Sequence, residues 1–443
     1  MRQKERILII SSVPITHFGN LGLDRVIAFE KLGYEVDYLT KYKDRDPHVI
    51  GVYQPRYIHI LLKSIKNLLP QKIVTILRKL CPYLFPKNNN LKAIGIEIKS
   101  PNEEKPIVDN ETLLSCIKHK YKFVYISAWQ DMITSSSIKA IYDKLGVPIL
   151  IVPVDFQPFT GGCFYPRECH NFEKGCGNCP VLGGDDKEDF TSHNFQIKKE
   201  NYGSINCGFS VNPYTMDFLK KAKIISDERI LLSYYSMNET IYKPLDPQEC
   251  RDLYDICKKK KYVIFSRFSS LDNPRKGCQY LPSVINSFAE QIGEKKDEVL
   301  LILAGGQDEA FEKKFNVDVK NVGVLNIKQL VQAYSAADIF ISCSVDDAGP
   351  SMVNQSIMCG TPVLAFNIGS ALYMIENGET GYQVPLRDIG AMSDALVEHF
   401  SLSFKDKQII KDKCRVKGLE TGSIEKSAKM HVEFAEKLSK MKI

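Results

Sequence analysis

The feature that most limits what this chain can fold into is an alternation, present in both halves, of short apolar runs with stretches of helical spacing. Ile7 to Ile10 reads as a buried strand, a turn at Gly19 and Gly22 follows, Asp24 to Leu32 has helical spacing, and Glu35 to Leu39 reads as a second strand. The pattern returns at Phe123 to Ser127, Ser137 to Leu145 and Pro148 to Val152. In the second half it runs through Tyr262 to Phe265, Val299 to Leu303, Ile327 to Ala336, Ile339 to Ser342 and Pro362 to Phe366. Short apolar runs without internal polarity suit strands covered on both faces, so the fold class is α/β with parallel sheets.

A chain of 443 residues exceeds what one core usually organises, which points to two Rossmann-like domains meeting at a cleft between strand ends. Pro244 and Pro247 break the pattern, and the linker is expected between Thr240 and Pro247. The expected division is therefore 1–240, 241–423 and a closing helix over 424–443, whose Ile424, Ala428, His431, Ala435 and Leu438 share one face and must pack. A net charge of +6 suits an anionic ligand but falls short of a nucleic-acid footprint, so no nucleic-acid partner is expected. Thirteen scattered cysteines indicate a reducing compartment, with the cytoplasm as the simplest location. The apolar start is broken by Ser11 and Ser12 and reads as the opening of a domain rather than a signal peptide, and no run is long enough to span a bilayer.

The segment from Ser344 to Ser370, SVDDAGPSMVNQSIMCGTPVLAFNIGS, carries the most chemistry. Gly349 permits close backbone approach, and Pro350, Ser351 and Met352 would open a helix whose start attracts phosphate; the alternative is a simple helix-to-strand turn. This segment resembles the C-terminal signature of family 4 retaining glycosyltransferases of the GT-B fold. In that family an acidic residue, seven others and a glutamate precede an apolar helix ending in CGTPV. Asp347 matches the first acid, while Gln355 stands where the ribose-binding glutamate is found. The stretch FSRFSSLDNPRKG, Phe265 to Gly277, resembles the family's diphosphate-binding element, with Arg267 and Lys276 at the matching positions. Fixed positive charge there would stabilise the departing nucleoside diphosphate.

The resemblance implies a nucleotide-sugar donor held by the second domain, Asp347 as the sugar-contacting catalytic acid, and transfer to a glycan or lipid-linked acceptor in bacterial envelope polysaccharide biosynthesis. No nucleophile motif is present, in keeping with a retaining reaction in which a donor phosphate oxygen helps to take the proton. Gln355 and Val154 motivate the alternative of a non-catalytic or partner-dependent relative.

From Val154 to Gly184 the chain resembles a Cys-rich segment of envelope-polysaccharide members of that family, with Val154 in place of a histidine and Asp155 kept as a second candidate catalytic acid or a turn cap. Cys163, Cys169, Cys176 and Cys179 form C-x5-C-x6-C-x2-C, for which structural zinc is the leading reading and free thiols, an iron–sulfur cluster or a disulfide are the others. Gly19 and Gly22 are expected on a loop that lets donor phosphate or acceptor approach. Between Pro47 and Ile96 there are eight basic residues and no Asp or Glu, which suits either an anionic membrane surface, making the protein peripheral, or a solvated basic face.

Overall fold

The computed structural model describes residues 4–53, 91–93, 96–98, 102–268, 270–271 and 273–441. Most of the basic stretch expected to meet a membrane, 54–90, lies outside them. The chain divides into two compact units, the first comprising Met1–Val211, Met216–Leu231 and Ala428–Ile443, the second Asn212–Thr215 and Leu232–Ser427.

The first unit is built on strands β1 (Arg6–Ile10), β2 (Glu35–Tyr42), β3 (Val49–Tyr53), β6 (Phe123–Ile126), β7 (Ile149–Ile151), β8 (Cys207–Val211) and β9 (Ile230–Leu232). A short antiparallel ribbon, β4 (Leu91–Ala93) and β5 (Ile96–Ile98), lies apart from this sheet. The sheet order is β3-β2-β1-β6-β7-β8-β9, with β3 through β8 paired in parallel. Ile7, Leu8, Ile9 and Ile10 are all buried because helices cover both faces of a parallel sheet, which leaves no polar side to the strand.

The second unit has six parallel strands, β10 (Tyr262–Phe268), β11 (Val299–Gly305), β12 (Asp318–Asn321), β13 (Ile339–Ser342), β14 (Val363–Phe366) and β15 (Gly381–Val384), in the order β12-β11-β10-β13-β14-β15. Its core has two layers, as period-two side-chain alternation requires. Val263 and Phe265 face one layer with Phe340, Tyr334 and Val353, while Tyr262 and Ile264 face the other with Phe288, Leu301 and Leu396. Full burial of one such aromatic contributes about 1.5–3 kcal/mol.

Three expectations are corrected. The first helix spans His17–Lys31 and so begins seven residues before Asp24; Gly19 and Gly22 lie within it rather than on a loop. Gly22 is required by close approach, because a Cβ there would meet the Ile15 carbonyl oxygen at 2.7 Å and the Tyr38 ring at 3.0 Å. Thr240–Pro247 is not the linker: the chain passes between units at Leu231–Leu232. Tyr242 belongs to the core of the second unit, and Pro247 opens the helix Pro247–Leu253, whose first turn Asp246 caps through the Glu249 N–H at 2.8 Å. Pro247 thus marks a helix start.

The final helix, Ile424–Ser439, buries the face formed by Ile424, Ala428, His431, Ala435 and Leu438. From Ala428 onward it belongs to the first unit, where His431 Nε2 meets Ser210 Oγ at 2.8 Å and Lys122 pairs with Glu436 at 2.8 Å.

Candidate functional site

In the second unit the chain runs from β10 outward to β11 and β12, then returns to the other side of β10 as β13. The strand order therefore reverses between β10 and β13, and the loops leaving the C-terminal ends of those two strands frame a crevice of the kind in which α/β sheets bind ligands.

The loop after β10 is shaped by its sequence. Asn273 accepts the Arg275 N–H at 3.2 Å and starts the single turn Pro274–Lys276. Gly277 then adopts φ +66°, and a Cβ at that position would lie 1.8 Å from the Cys343 carbonyl oxygen, so only glycine fits. The two loops are tied together: the Val345 N–H donates to the Arg275 carbonyl at 2.8 Å, and Arg275 Nη1 donates to the Asp346 carbonyl at 2.9 Å. This pairing carries the Lys276 ammonium onto the Asp347 carboxylate in a largely buried ion pair. Asp347 also accepts the Gly349 N–H at 3.1 Å, and Asn212 donates to the Ala348 carbonyl at 2.9 Å.

Gly349 is closely packed; a side chain would meet Asn212 Nδ2 at 3.1 Å and Ser370 Oγ at 3.2 Å. Pro350 then sits at the N-cap of the helix Ser351–Met358, in which Met352 through Met358 are buried. Gln355, 3% exposed, accepts from Arg267 Nη1 at 2.9 Å and from the Tyr334 hydroxyl at 3.3 Å, and its amide donates to the Tyr242 hydroxyl at 3.3 Å. Because Gln355 is neutral, this contact orients the Arg267 guanidinium without cancelling its charge. Arg267, Lys276, Asp347, Gly349, Pro350, Ser351, Met352 and Gln355 thus come together in one unit. Tyr242, Tyr334, Arg275 and Asn212 complete the frame; Arg275 falls inside the quoted motif without being singled out, and the two tyrosines and Asn212 carry no sequence signal, because a buried tyrosine looks the same whether or not its hydroxyl has a task.

Asp155 and the cysteines lie in the first unit. Asp155 is buried and accepts two 3.1 Å bonds from Gln130 Nε2 and one of 2.9 Å from the Gln157 N–H, just ahead of the turn Gln157–Phe159. Cys163, Cys169, Cys176 and Cys179 line a single small pocket with Phe172 and Thr191, and all four are free thiols. Burial pushes the Cys163 thiol up to about 12 and raises Cys176 and Cys179 as well. Cys176 Sγ accepts the Gly161 N–H at 3.1 Å. Among the described residues no group of three or more His, Cys, Asp or Glu side chains is arranged to hold a metal ion, so the expectation of zinc at these cysteines is not supported. The turn that carries Cys176 and leads to Cys179 has positive φ at Cys176, Gly177 and Asn178. No helix among the described residues is long and apolar enough to cross a membrane.

Residues 259–401 match the family model described as Glycosyl transferases group 1. A phosphatidyl-myo-inositol mannosyltransferase of Mycobacterium leprae is 29% identical over 147 residues, covering 31% of this chain and only 36% of that protein, about a third of its length. Among solved structures, sucrose-phosphate synthase from Thermosynechococcus elongatus is similar with a TM-score of 0.64 at 16% identity, covering 98% of this chain and 99% of its own. Anabaena HepE in complex with UDP is similar with a TM-score of 0.61 at 12% identity, covering 99% and 100%, and that protein is also solved with UDP-glucose. These likenesses, with the two parallel sheets, establish two Rossmann-like domains of the GT-B kind.

Proposed function

We propose that this chain is a retaining glycosyltransferase that takes a sugar from a nucleotide-sugar donor bound in its second unit. The observation that carries the reading is the convergence of Arg267, Lys276 and Asp347 at the β10–β13 reversal, beside the start of the helix Ser351–Met358. The match of 259–401 to group 1 glycosyl transferases and the UDP and UDP-glucose complexes of a protein with this fold support it.

In this reading the Lys276–Asp347 pair is the resting arrangement. An arriving diphosphate draws Lys276 and Arg267 onto its oxygens, and the freed Asp347 carboxylate accepts hydrogen bonds from sugar hydroxyls. The acceptor oxygen then bonds to the anomeric carbon on the face from which the diphosphate departs. The anomeric carbon–phosphate oxygen bond breaks, and the acceptor proton passes to a phosphate oxygen of the leaving group. No protein nucleophile takes part. Gln355 meets the ribose hydroxyls through an amide rather than a carboxylate. The acceptor is a glycan or lipid-linked glycan of bacterial envelope polysaccharide synthesis, approached by contact of the basic 47–96 stretch with the anionic cytoplasmic membrane face; liposome pelleting that ignores anionic lipid would remove that contact from the proposal.

Thermal unfolding of the full chain against UDP-, GDP- and other nucleotide sugars tests the donor site, because a ligand that binds only the folded state raises its apparent stability. One donor is expected to stabilise the wild type and to lose that effect in Lys276→Ala. A folded protein indifferent to every donor would favour the second reading, a non-catalytic relative, for which the substitution of Gln355 at the ribose position is the specific observation.

A further inference from the structure

The first unit holds a second crevice with the same topological address. Its chain runs from β1 to β2 and β3 on one side and returns as β6 on the other, so the order reverses between β1 and β6. A pocket opens at the C-terminal ends of these two strands, bounded by Ser11 after β1, Ser127 and Ala128 after β6, and Gly22 and Arg25 of the first helix. Arg25 is 6% exposed, and its guanidinium carbon stands 5.5 Å from the centre of the Tyr125 ring, which also lines the pocket. Arg25 is the only charged side chain among the described lining residues; Ser11, Ser127 and Tyr125 also place hydroxyl-bearing side chains on the lining, while the Tyr38 hydroxyl donates to the Val13 carbonyl at 3.1 Å. The His431 ring lies 5.5 Å from that of Tyr125, and burial together with the Arg25 charge holds its pKa well below the ordinary histidine value.

Backbone strain marks the same spot. Ala128 has φ +49°, uncommon for a residue with a side chain, and is held there as its carbonyl accepts both the Ser12 N–H at 2.9 Å and the Ser12 hydroxyl at 2.6 Å. A guanidinium in low-dielectric surroundings attracts an anion far more strongly than a solvated one, and its planar fork matches the oxygens of phosphate and carboxylate.

We propose that this pocket is an anion subsite of the first unit, in which Arg25 holds a phosphate or carboxylate group carried by the acceptor. The assignment rests on the glycosyl-transfer reading for the word acceptor, and on the pocket alone for the anion. It makes the acceptor an acidic glycan or sugar phosphate rather than a neutral sugar, and makes Arg25 the residue that selects it.

The test is calorimetric titration of the full chain with glucose 6-phosphate, glucuronate, glucose, UDP and GDP in separate arms. At least one anionic sugar is expected to bind about tenfold or more tightly than glucose, and Arg25→Gln to weaken it by about tenfold or more, since a charge-assisted contact is lost. Binding of glucose 6-phosphate assigns phosphate, and binding of glucuronate assigns carboxylate. Should Arg25→Gln fail to fold, Arg25→Lys carries the test: it keeps the charge, loses the fork, and is expected to bind the anion several-fold more weakly with nucleotide binding unchanged. The proposal is overturned if neither anion binds at millimolar concentration, if glucose binds equally well, if UDP or GDP competes with the anion, or if the Arg25 variants bind it like wild type. Anion binding intact with no nucleotide bound would instead sink the donor reading and leave the subsite standing.

Discussion

At Gly277 one backbone dihedral decides where a charge is placed. The φ of +66° and the 1.8 Å separation between a notional Cβ and the Cys343 carbonyl mean that Gly277→Ala must displace the loop that carries Lys276. Strain of about 1–2 kcal/mol from the left-handed backbone adds to the clash, so the variant is expected to be less stable and to lose nucleotide binding, read together by thermal unfolding with and without UDP. Unchanged binding would detach the loop from the site. Gln355 makes the complementary case: Gln355→Leu removes an acceptor from Arg267 and from Tyr334, with an expected cost of about 1–3 kcal/mol by denaturant unfolding. Arg267, Lys276, Asp347 and Gln355 were legible in the sequence because their motifs fix short spacings. Tyr242 and Tyr334 were not, since what brings them to Gln355 is packing across 113 and 21 residues of chain.

Elements were read with unequal success, and the reasons are physical. The strands were found because burial on both faces leaves continuous apolar runs, and Ile327–Ala336 and Ile339–Ser342 have the expected bounds. The first helix was misread because two glycines carry the statistical weight of a turn, whereas Gly22 serves close packing against Ile15 and Tyr38. The final helix was found from its periodic face, but its membership of the first unit from Ala428 onward is a tertiary fact with no local trace. Leu438 is 1% exposed on that face, so Leu438→Ala is expected to cost about 2–5 kcal/mol, measured by denaturant unfolding of the full chain. A cost near zero would mean that the helix is not part of the core.

Across the whole molecule, each unit contains a buried histidine that resists protonation. Burial lowers His399 to about 4 in the second unit and His431 well below its ordinary value in the first. Because both are depressed, the unfolded chain binds protons that the folded chain does not. The His399 part of this stabilisation, roughly 3 kcal/mol, is complete above about pH 6.5 and is lost as the pH falls from there towards 4. Unfolding midpoints are expected to drop over that interval, with a shallower drop in His399→Phe; an identical slope in the variant would show that other groups govern acid sensitivity.

In the proposed reaction Lys276 and Asp347 exchange each other for the diphosphate and the sugar of a bound donor. The most direct measurement is turnover of the stabilising nucleotide sugar, followed by mass spectrometry, in wild type and Asp347→Asn. Asp347→Asn is expected to bind the donor yet turn it over about a hundredfold or more slowly, as removal of a group acting in the transition state requires. Turnover equal to wild type would contradict the proposed reaction.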